Sequence, residues 1–393
     1  MKKKHNKNSK KIKTLLSHTG RHSSEHFGLV NVPVSRGSTI LFETLEKLEN
    51  HSQRYAYGRT GNPSTDSVEQ IVTQLENAAG TVLTPSGLSA ISLALLSCLE
   101  AGNEILVADC VYDPTRKFCN KILSKLGIST RYFDPNIGSQ IETLITEKTK
   151  VIFLESPGSL TFELQDLPLI AKVAKKHDIS ILIDNSWATP LFYRPLELGA
   201  DIVIHAATKM FVGHSDVMGG TISANETHWE RIKETHYLTG TCMSPDDAFL
   251  VARGLRTLDI RMQAQMQSAI ELATWLEKQE VVKKVLHPAL PSHPNHAIFR
   301  RDFSGSGSVF SIVLKEAPNK AMAALVDNLD LFGMGYSWGG YESLVLPAKP
   351  EKIRTAIKWN ETGNLLRIHV GLEDIEDLRK DLLAGLERYK KEM

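Results

Sequence analysis

Lys209 stands in the run Ala206-Ala207-Thr208-Lys209-Met210-Phe211-Val212-Gly213-His214-Ser215, directly after the apolar stretch Asp201-Ile202-Val203-Ile204. An amine that must form an imine needs small neighbours so that its carbonyl partner can approach. A strand end followed by a glycine turn fixes its direction better than a long loop does. Earlier, Ile181-Leu182-Ile183-Asp184-Asn185-Ser186-Trp187 places an aspartate at the end of another apolar stretch, where it can keep a pyridine nitrogen protonated. Ligands collect at the carboxyl ends of strands in an open parallel sheet, and this lysine and aspartate together suit pyridoxal phosphate (PLP). Singly, Lys209 would read as a surface-loop lysine and Asp184 as a helix cap. The pairing favours the cofactor.

The elements that must hold them follow an α/β pattern. From Thr81 to about Ala224, short apolar strands alternate with amphipathic helices, as in a mainly parallel sheet covered on both faces. Strands are predicted at 105–108, 129–133, 151–155, 180–184, 201–204 and 217–223. Asp113-Pro114 opens a helix that Gly127 closes. Another begins after Pro85-Ser86-Gly87, with Leu88, Ile91, Leu95 and Leu99 on one face; its free N–H groups offer a phosphate site or simply an ordinary capped helix. Beyond Gly254 a long helix over 260–279, strands at 308–314 and 365–370 and a closing helix over 374–390 predict a smaller α+β domain. The expected division is a basic tail over 1–13, an arm against a partner subunit over 14–62, a cofactor-binding domain over 63–255 and a C-terminal domain over 256–393.

Composition narrows the function classes. A net charge of +1 in 393 residues gives no field for steering nucleic acid. The seven lysines among residues 1–13 read as a disordered, solvated tail, with contact to RNA or an anionic membrane as the weaker alternative. No apolar run is long enough for a secretory signal or a membrane span, so a cytoplasmic protein is expected. Cys98, Cys110, Cys119 and Cys242 lack metal or redox spacing and are expected to be reduced thiols. His287, His293 and His296 fall in a proline-rich loop and are not expected to bind metal.

With these residues in hand, the chain resembles the Cys/Met-metabolism family of PLP-dependent enzymes, and within it the bacterial cystathionine β-lyases. The resemblance spans about Leu29 to Leu386. It rests on Tyr55-Ala56-Tyr57-Gly58-Arg59, Pro85-Ser86-Gly87, Asp109-Cys110-Val111-Tyr112, the segment from Phe153 to Ser159, Asp184-Asn185-Ser186-Trp187, Ala206-Ala207-Thr208-Lys209, the segment from Tyr336 to Ser343, and that from Leu366 to Asp374. It implies the aspartate aminotransferase-like architecture, fold type I, and β-elimination of L-cystathionine to homocysteine, pyruvate and ammonia in methionine biosynthesis.

The same resemblance makes Lys209 the Schiff-base lysine, Asp184 the partner of the pyridine nitrogen and Tyr112 the ring stacked on the cofactor and a second acid–base group. It gives the phosphate to the Gly87 and Leu88 amides, the Thr208 hydroxyl and, from the other subunit of a homodimer, Tyr57 and Arg59; a dimer-of-dimers tetramer is expected. Arg367, Ser337, Trp338 and Tyr112 would bind substrate, Arg367 by its α-carboxylate. Trp338 stands where the γ-acting relatives usually carry a smaller aliphatic residue. Cystathionine γ-lyase or γ-synthase activity, and a broader cysteine desulfhydrase with alanine racemase side activity, remain alternatives. Met210 and Ser186 depart from the family's usual residues, with expected effects on packing behind the cofactor.

Overall fold

A computed structural model describes residues 10–393. The predicted strands of the first domain become β2 (Glu104–Ala108), β3 (Ser129–Phe133), β4 (Thr149–Glu155), β5 (Ser180–Asp184), β6 (Ile202–His205) and β7 (Gly220–Ala224). A further strand, β1 (Gly80–Thr84), joins them in one sheet of order β1-β7-β6-β5-β4-β2-β3. Pairing is parallel from β6 across to β3, while β7 runs antiparallel to both β6 and β1. Thus β1 runs in the sense of β6, and the ends at Thr84, Ala108, Glu155, Asp184 and His205 share one edge. The central strands are apolar throughout because both faces of the sheet are covered.

Local chemistry fixes the helices that flank this edge. Helix α1 (Ile12–His18) begins inside the expected tail, whose residues 1–9 lie outside those described. Leu16 of α1 is buried, and Thr19 bonds Gln74 of the same chain, so the start of the expected arm packs on its own subunit. After the short α2 (Leu45–Glu49), α3 (Pro63–Glu76) starts with a capping box in which Asn62 accepts from Ser64 and Thr65 while Thr65 bonds back to Asn62. Ser86 caps α4 (Gly87–Cys98) by accepting from the Ser89 amide at 3.1 Å. Helix α5 (Asp113–Lys121) stops earlier than predicted: the stretch to Gly127 tightens into a 3₁₀ turn over Leu123–Leu126, with Gly127 at φ +77°. Helices α6 (Leu167–Lys176), α7 (Thr189–Phe192) and α8 (Trp229–Leu238) complete the domain's cover.

Helices α9 (Pro245–Leu255) and α10 (Leu258–Leu276) lead to the second sheet. Its strands are β8 (Val282–Leu286), β9 (Val309–Leu314), β10 (Gly333–Met334), β11 (Leu344–Ala348) and β12 (Leu365–His369), in the order β10-β11-β12-β9-β8. Helices α11 (His296–Asp302), α12 (Asn319–Val326) and α13 (Ile375–Lys391) accompany it. Strand alternation then decides the site. Leu366 and Ile368 of β12 enter the small-domain core with Leu272 of α10 and Leu382 of α13, whereas Leu365 joins the large core. Arg367 and His369 therefore share the face turned toward the large domain.

The cysteines are free, with Cys242 exposed and the other three buried. Among the described residues no helix is long and apolar enough to cross a membrane.

Candidate active site

Lys209 lies in the turn that follows β6. The turn is closed by hydrogen bonds from the Lys209 amide to the Ala206 carbonyl at 3.0 Å and from the Gly213 amide to the Lys209 carbonyl at 2.9 Å. Arg261 of α10 steadies it from behind, donating to the Met210 carbonyl at 2.9 Å. Gly213, at φ +68°, leaves room for that guanidinium; a Cβ there would lie 2.0 Å from its nitrogen. Met210, at 1% exposure, points into the core, so this departure from the family pattern concerns packing.

The Lys209 amine emerges half-buried. Its Nζ donates to Ser337 Oγ at 2.7 Å and sits 5.1 Å from the centre of the Trp338 ring. Burial and the nearby Arg367 charge lower its pKa to about 8, against the opposing pull of Asp184. The loop bearing Ser337 and Trp338 is pinned by His369, whose Nε2 accepts from the Gly339 amide at 3.1 Å and whose other ring nitrogen donates to Ser308 at 3.1 Å. Gly339, at φ +93°, permits the contact, because a Cβ would stand 2.9 Å from the Lys209 carbonyl carbon.

Asp184 ends β5, beside Glu155 at the end of β4 in the sheet register. Burial raises the pKa of both carboxyls. For Asp184 it is opposed by the Ser186 hydrogen bonds, including the backbone N–H at 2.8 Å, and by His205 and Lys209. For Glu155 the Asp184 charge adds to the rise, and the Tyr112 amide, donating at 2.7 Å, opposes it. Glu155 thus positions Tyr112, a role unassigned at the sequence level; an acid ending an apolar strand was the signal, the same one that marks Asp184. Tyr112 itself is 46% exposed, with its hydroxyl raised by burial and by Glu155 and Asp184. Ser186 keeps the hydroxyl of the usual threonine and uses it to accept from the Ala206 amide at 2.7 Å, tying the Asp184 corner to the Lys209 turn.

Arg367 is 9% exposed, and among the described residues no carboxylate lies within 4 Å of it. One of its nitrogens donates to the carbonyls of Gly335, Tyr336 and Ser337, at 3.2, 2.6 and 3.0 Å. The rest of its fork has no partner among the described residues. Burial lowers its pKa to about 10. A buried cation without a counter-ion, facing a lysine and an aromatic wall, suits a carboxylate ligand.

The PLP fit can be tested on the start of α4. The Gly87 and Leu88 amides have no partner among the described residues, and a Cβ on Gly87 would lie 2.7 Å from that of Ala206. The helix start is pressed against the Lys209 turn with free donors for an anion. Thr208 differs from expectation in detail: its hydroxyl accepts from the Gly219 amide at 2.9 Å and donates to the Gly219 carbonyl at 3.2 Å, so its proton must swing away to serve a phosphate. Tyr57 and Arg59 are not brought to this edge by their own chain. Arg59 donates to the Tyr237 carbonyl at 3.0 Å and lines a separate recess with Glu69, Trp229 and His236.

The chain is similar to known proteins over nearly its whole length. A family model described as Cys/Met metabolism PLP-dependent enzyme matches residues 13–387. The cystathionine β-lyase of Haemophilus influenzae is 42% identical, over 96% of this chain and 98% of its own. The cystathionine β-lyase MetC of Escherichia coli is also 42% identical, over 96% and 99%. Among solved structures, cystathionine γ-synthase from Xanthomonas oryzae pv. oryzae, in complex with aminoacrylate and cysteine, superposes with a TM-score of 0.91 at 31% identity, covering 97% of this chain and 99% of that one.

Proposed function

The chain belongs to the Cys/Met metabolism PLP-dependent enzyme family, and from that premise we propose that it is a cystathionine β-lyase, releasing homocysteine, pyruvate and ammonia from L-cystathionine for methionine biosynthesis. One observation carries the reading: a lysine amine depressed to about 8 stands between Ser337 and Trp338, with the acid-free fork of Arg367 on the same side. PLP, when bound, supplies an electron-poor ring that takes up the electron pair left by breakage of the substrate's α-C–H bond.

The remaining work belongs to side chains. Asp184 would face the pyridine nitrogen, Lys209 would carry the cofactor, and the Gly87 and Leu88 amides with Thr208 would take the phosphate. Arg367 holds the substrate α-carboxylate and thereby turns its α-C–H bond toward Lys209. Lys209 Nζ, released once the substrate amine takes over its bond to the cofactor and low enough in pKa to be partly neutral near neutral pH, removes that proton and returns one to the departing sulfur. Ser337 fixes the amine's direction. The Trp338 ring walls the space beside it and limits the substrate to the pose for β-cleavage. Tyr112 would cover the cofactor ring and serve as a second proton carrier.

Product identification tests the reaction. Turnover of L-cystathionine is expected to yield pyruvate and homocysteine; 2-oxobutyrate with cysteine would move the protein to the γ-acting relatives. Parallel assays with L-cysteine and L-alanine separate desulfhydrase and racemase activities.

The active enzyme is a homodimer with shared sites, assembling further into a cytoplasmic tetramer. Support comes from the exposed apolar residues Phe27, Leu29, Val30, Leu41 and Leu45 along the arm, and from Arg59 facing away from its own Lys209. Arg59→Ala is expected to weaken PLP retention about tenfold to a hundredfold, the worth of one charge-assisted phosphate contact. Mixed with Lys209→Ala under conditions of subunit exchange, it should regain roughly a quarter of wild-type activity, since half the dimers are hybrids with one intact site. Demonstrated exchange without recovery would rule out sharing through Arg59.

A further inference from the structure

Helix α10 joins the two domains, with Leu258 and Met262 in the large core and Ala269, Leu272 and Leu276 in the small one. Where it crosses, two polar residues interrupt its buried face. Arg261 donates to the carbonyl of Met210 and, at 3.3 Å, to that of Phe211, both in the Lys209 turn. Gln265, one helical turn further along the same face, donates from Nε2 to the Gly340 carbonyl at 2.7 Å. Gln265 is 1% exposed, and its Oε1 has no partner among the described residues. A half-satisfied buried amide is costly, and methionine would fill the same space without that penalty. Packing therefore does not account for this residue; its bond to Gly340 does.

Gly340 is buried and stands two residues beyond Trp338. One other side-chain nitrogen lies near its carbonyl, His369 Nε2 at 3.3 Å, but that nitrogen accepts from the Gly339 amide, and burial keeps the ring neutral, its pKa lowered to about 3. An accepting ring nitrogen carries no hydrogen. Gln265 is therefore the side-chain donor to Gly340 among the described residues. Ser337, on the other side of Trp338, is held separately by Arg367 through its carbonyl.

We infer that Gln265 is a positioning residue acting through Trp338: with Arg261 it sets the gap between the Lys209 amine and the Trp338 ring, and so the fit of the substrate's carbon–sulfur chain beside that ring. Helix α10 is then a spacer. The lysine turn and the tryptophan loop are held from adjacent turns of one helix, and the 5.1 Å between Nζ and the ring centre follows from that spacing. This rests on Trp338 being the wall proposed above.

Pyruvate release from L-cystathionine tests the inference in a double-mutant cycle. Gln265→Met fills the space without a donor and should lower kcat/KM about tenfold, the effect of one buried hydrogen bond left unmade, with PLP content unchanged. Gln265→His, whose Nε2–H extends about as far as the amide, should restore most of the loss. In Trp338→Phe the wall is already altered, so adding Gln265→Met should change kcat/KM by less than about twofold. An equal loss in both backgrounds, or Gln265→Met at wild-type kcat/KM, overturns the inference alone. Trp338→Phe with wild-type kinetics would overturn the wall and the inference with it, and a wild-type enzyme that releases no pyruvate would overturn the proposed reaction. If Gln265→Met does not fold, Gln265→Asn, which keeps the amide but falls short of Gly340, takes its place in the same cycle.

Discussion

Lys209→Ala is expected to remove turnover almost completely, by a factor of about 10⁴ or more, because the one side chain is proposed as both covalent anchor and proton carrier. The fold should survive. Lys209 lies in a turn whose backbone bonds to Ala206 and Gly213 do not involve its amine, and Arg261 braces that turn from behind. The variant should therefore still bind PLP without covalent attachment, through Asp184 and the α4 amides. Borohydride reduction followed by peptide mapping should label Lys209 in the wild type and no lysine in the variant; a label elsewhere would sink the assignment. Its depressed pKa gives a second check with a defined sign. In cofactor-free protein, acylation of Lys209 should rise as pH passes about 8, where the amine loses its proton, while exposed lysines become reactive only near pH 10.

The place of Lys209, in a turn just after a strand, was legible in sequence because strand, small-residue run and glycine turn are local features, each written in consecutive residues. The same holds for Asp184, for the start of α4 and for the alternation that buries β4 to β6. What stayed hidden depends on pairings between distant segments. The bond from Tyr112 to Glu155 spans 43 positions, and the clasp of His369 on Gly339 spans 30. No period or spacing reports such contacts. Strand β1 went unnamed because five residues, Gly-Thr-Val-Leu-Thr, show neither a long apolar run nor clear alternation, and it earns its place by pairing with β7, which lies 136 positions further on at its start. Its burial, like that of Glu76 and His205, comes from tertiary packing.

Arg367 illustrates the same division at a single residue. Its position on β12 is legible from the strand, and the resemblance supplies its role, but an arginine on a strand reads equally as half of an ion pair until its surroundings are known. The fold removes that alternative: no acidic group lies within 4 Å among the described residues, and the fork is aimed by three carbonyls of the segment that also carries Ser337 and Trp338. One segment thus orients the Arg367 fork and the Lys209 amine together, and on the proposed roles a carboxylate substrate bound by the first would be presented to the second.

For that reason Arg367→Lys, which keeps the charge, should still be severely damaging. An ammonium is a point charge on a flexible stem and cannot donate two parallel N–H bonds to a carboxylate while also reaching the carbonyls of Gly335, Tyr336 and Ser337. Binding would be weakened, and the larger loss would come from direction, since a displacement of about 1 Å in a reacting group costs roughly a hundredfold in rate. The expected result is a fall of about a hundredfold or more in kcat/KM for cystathionine, with kcat falling as well as KM rising, because the α-C–H bond is no longer turned toward Lys209. PLP content, the absorbance of the bound cofactor and the oligomeric state should match the wild type, since Arg367 is proposed to hold the substrate and not the cofactor. Arg367→Lys with near wild-type kinetics would place the carboxylate receptor elsewhere and leave Arg367 as a brace for the loop of Ser337 and Trp338.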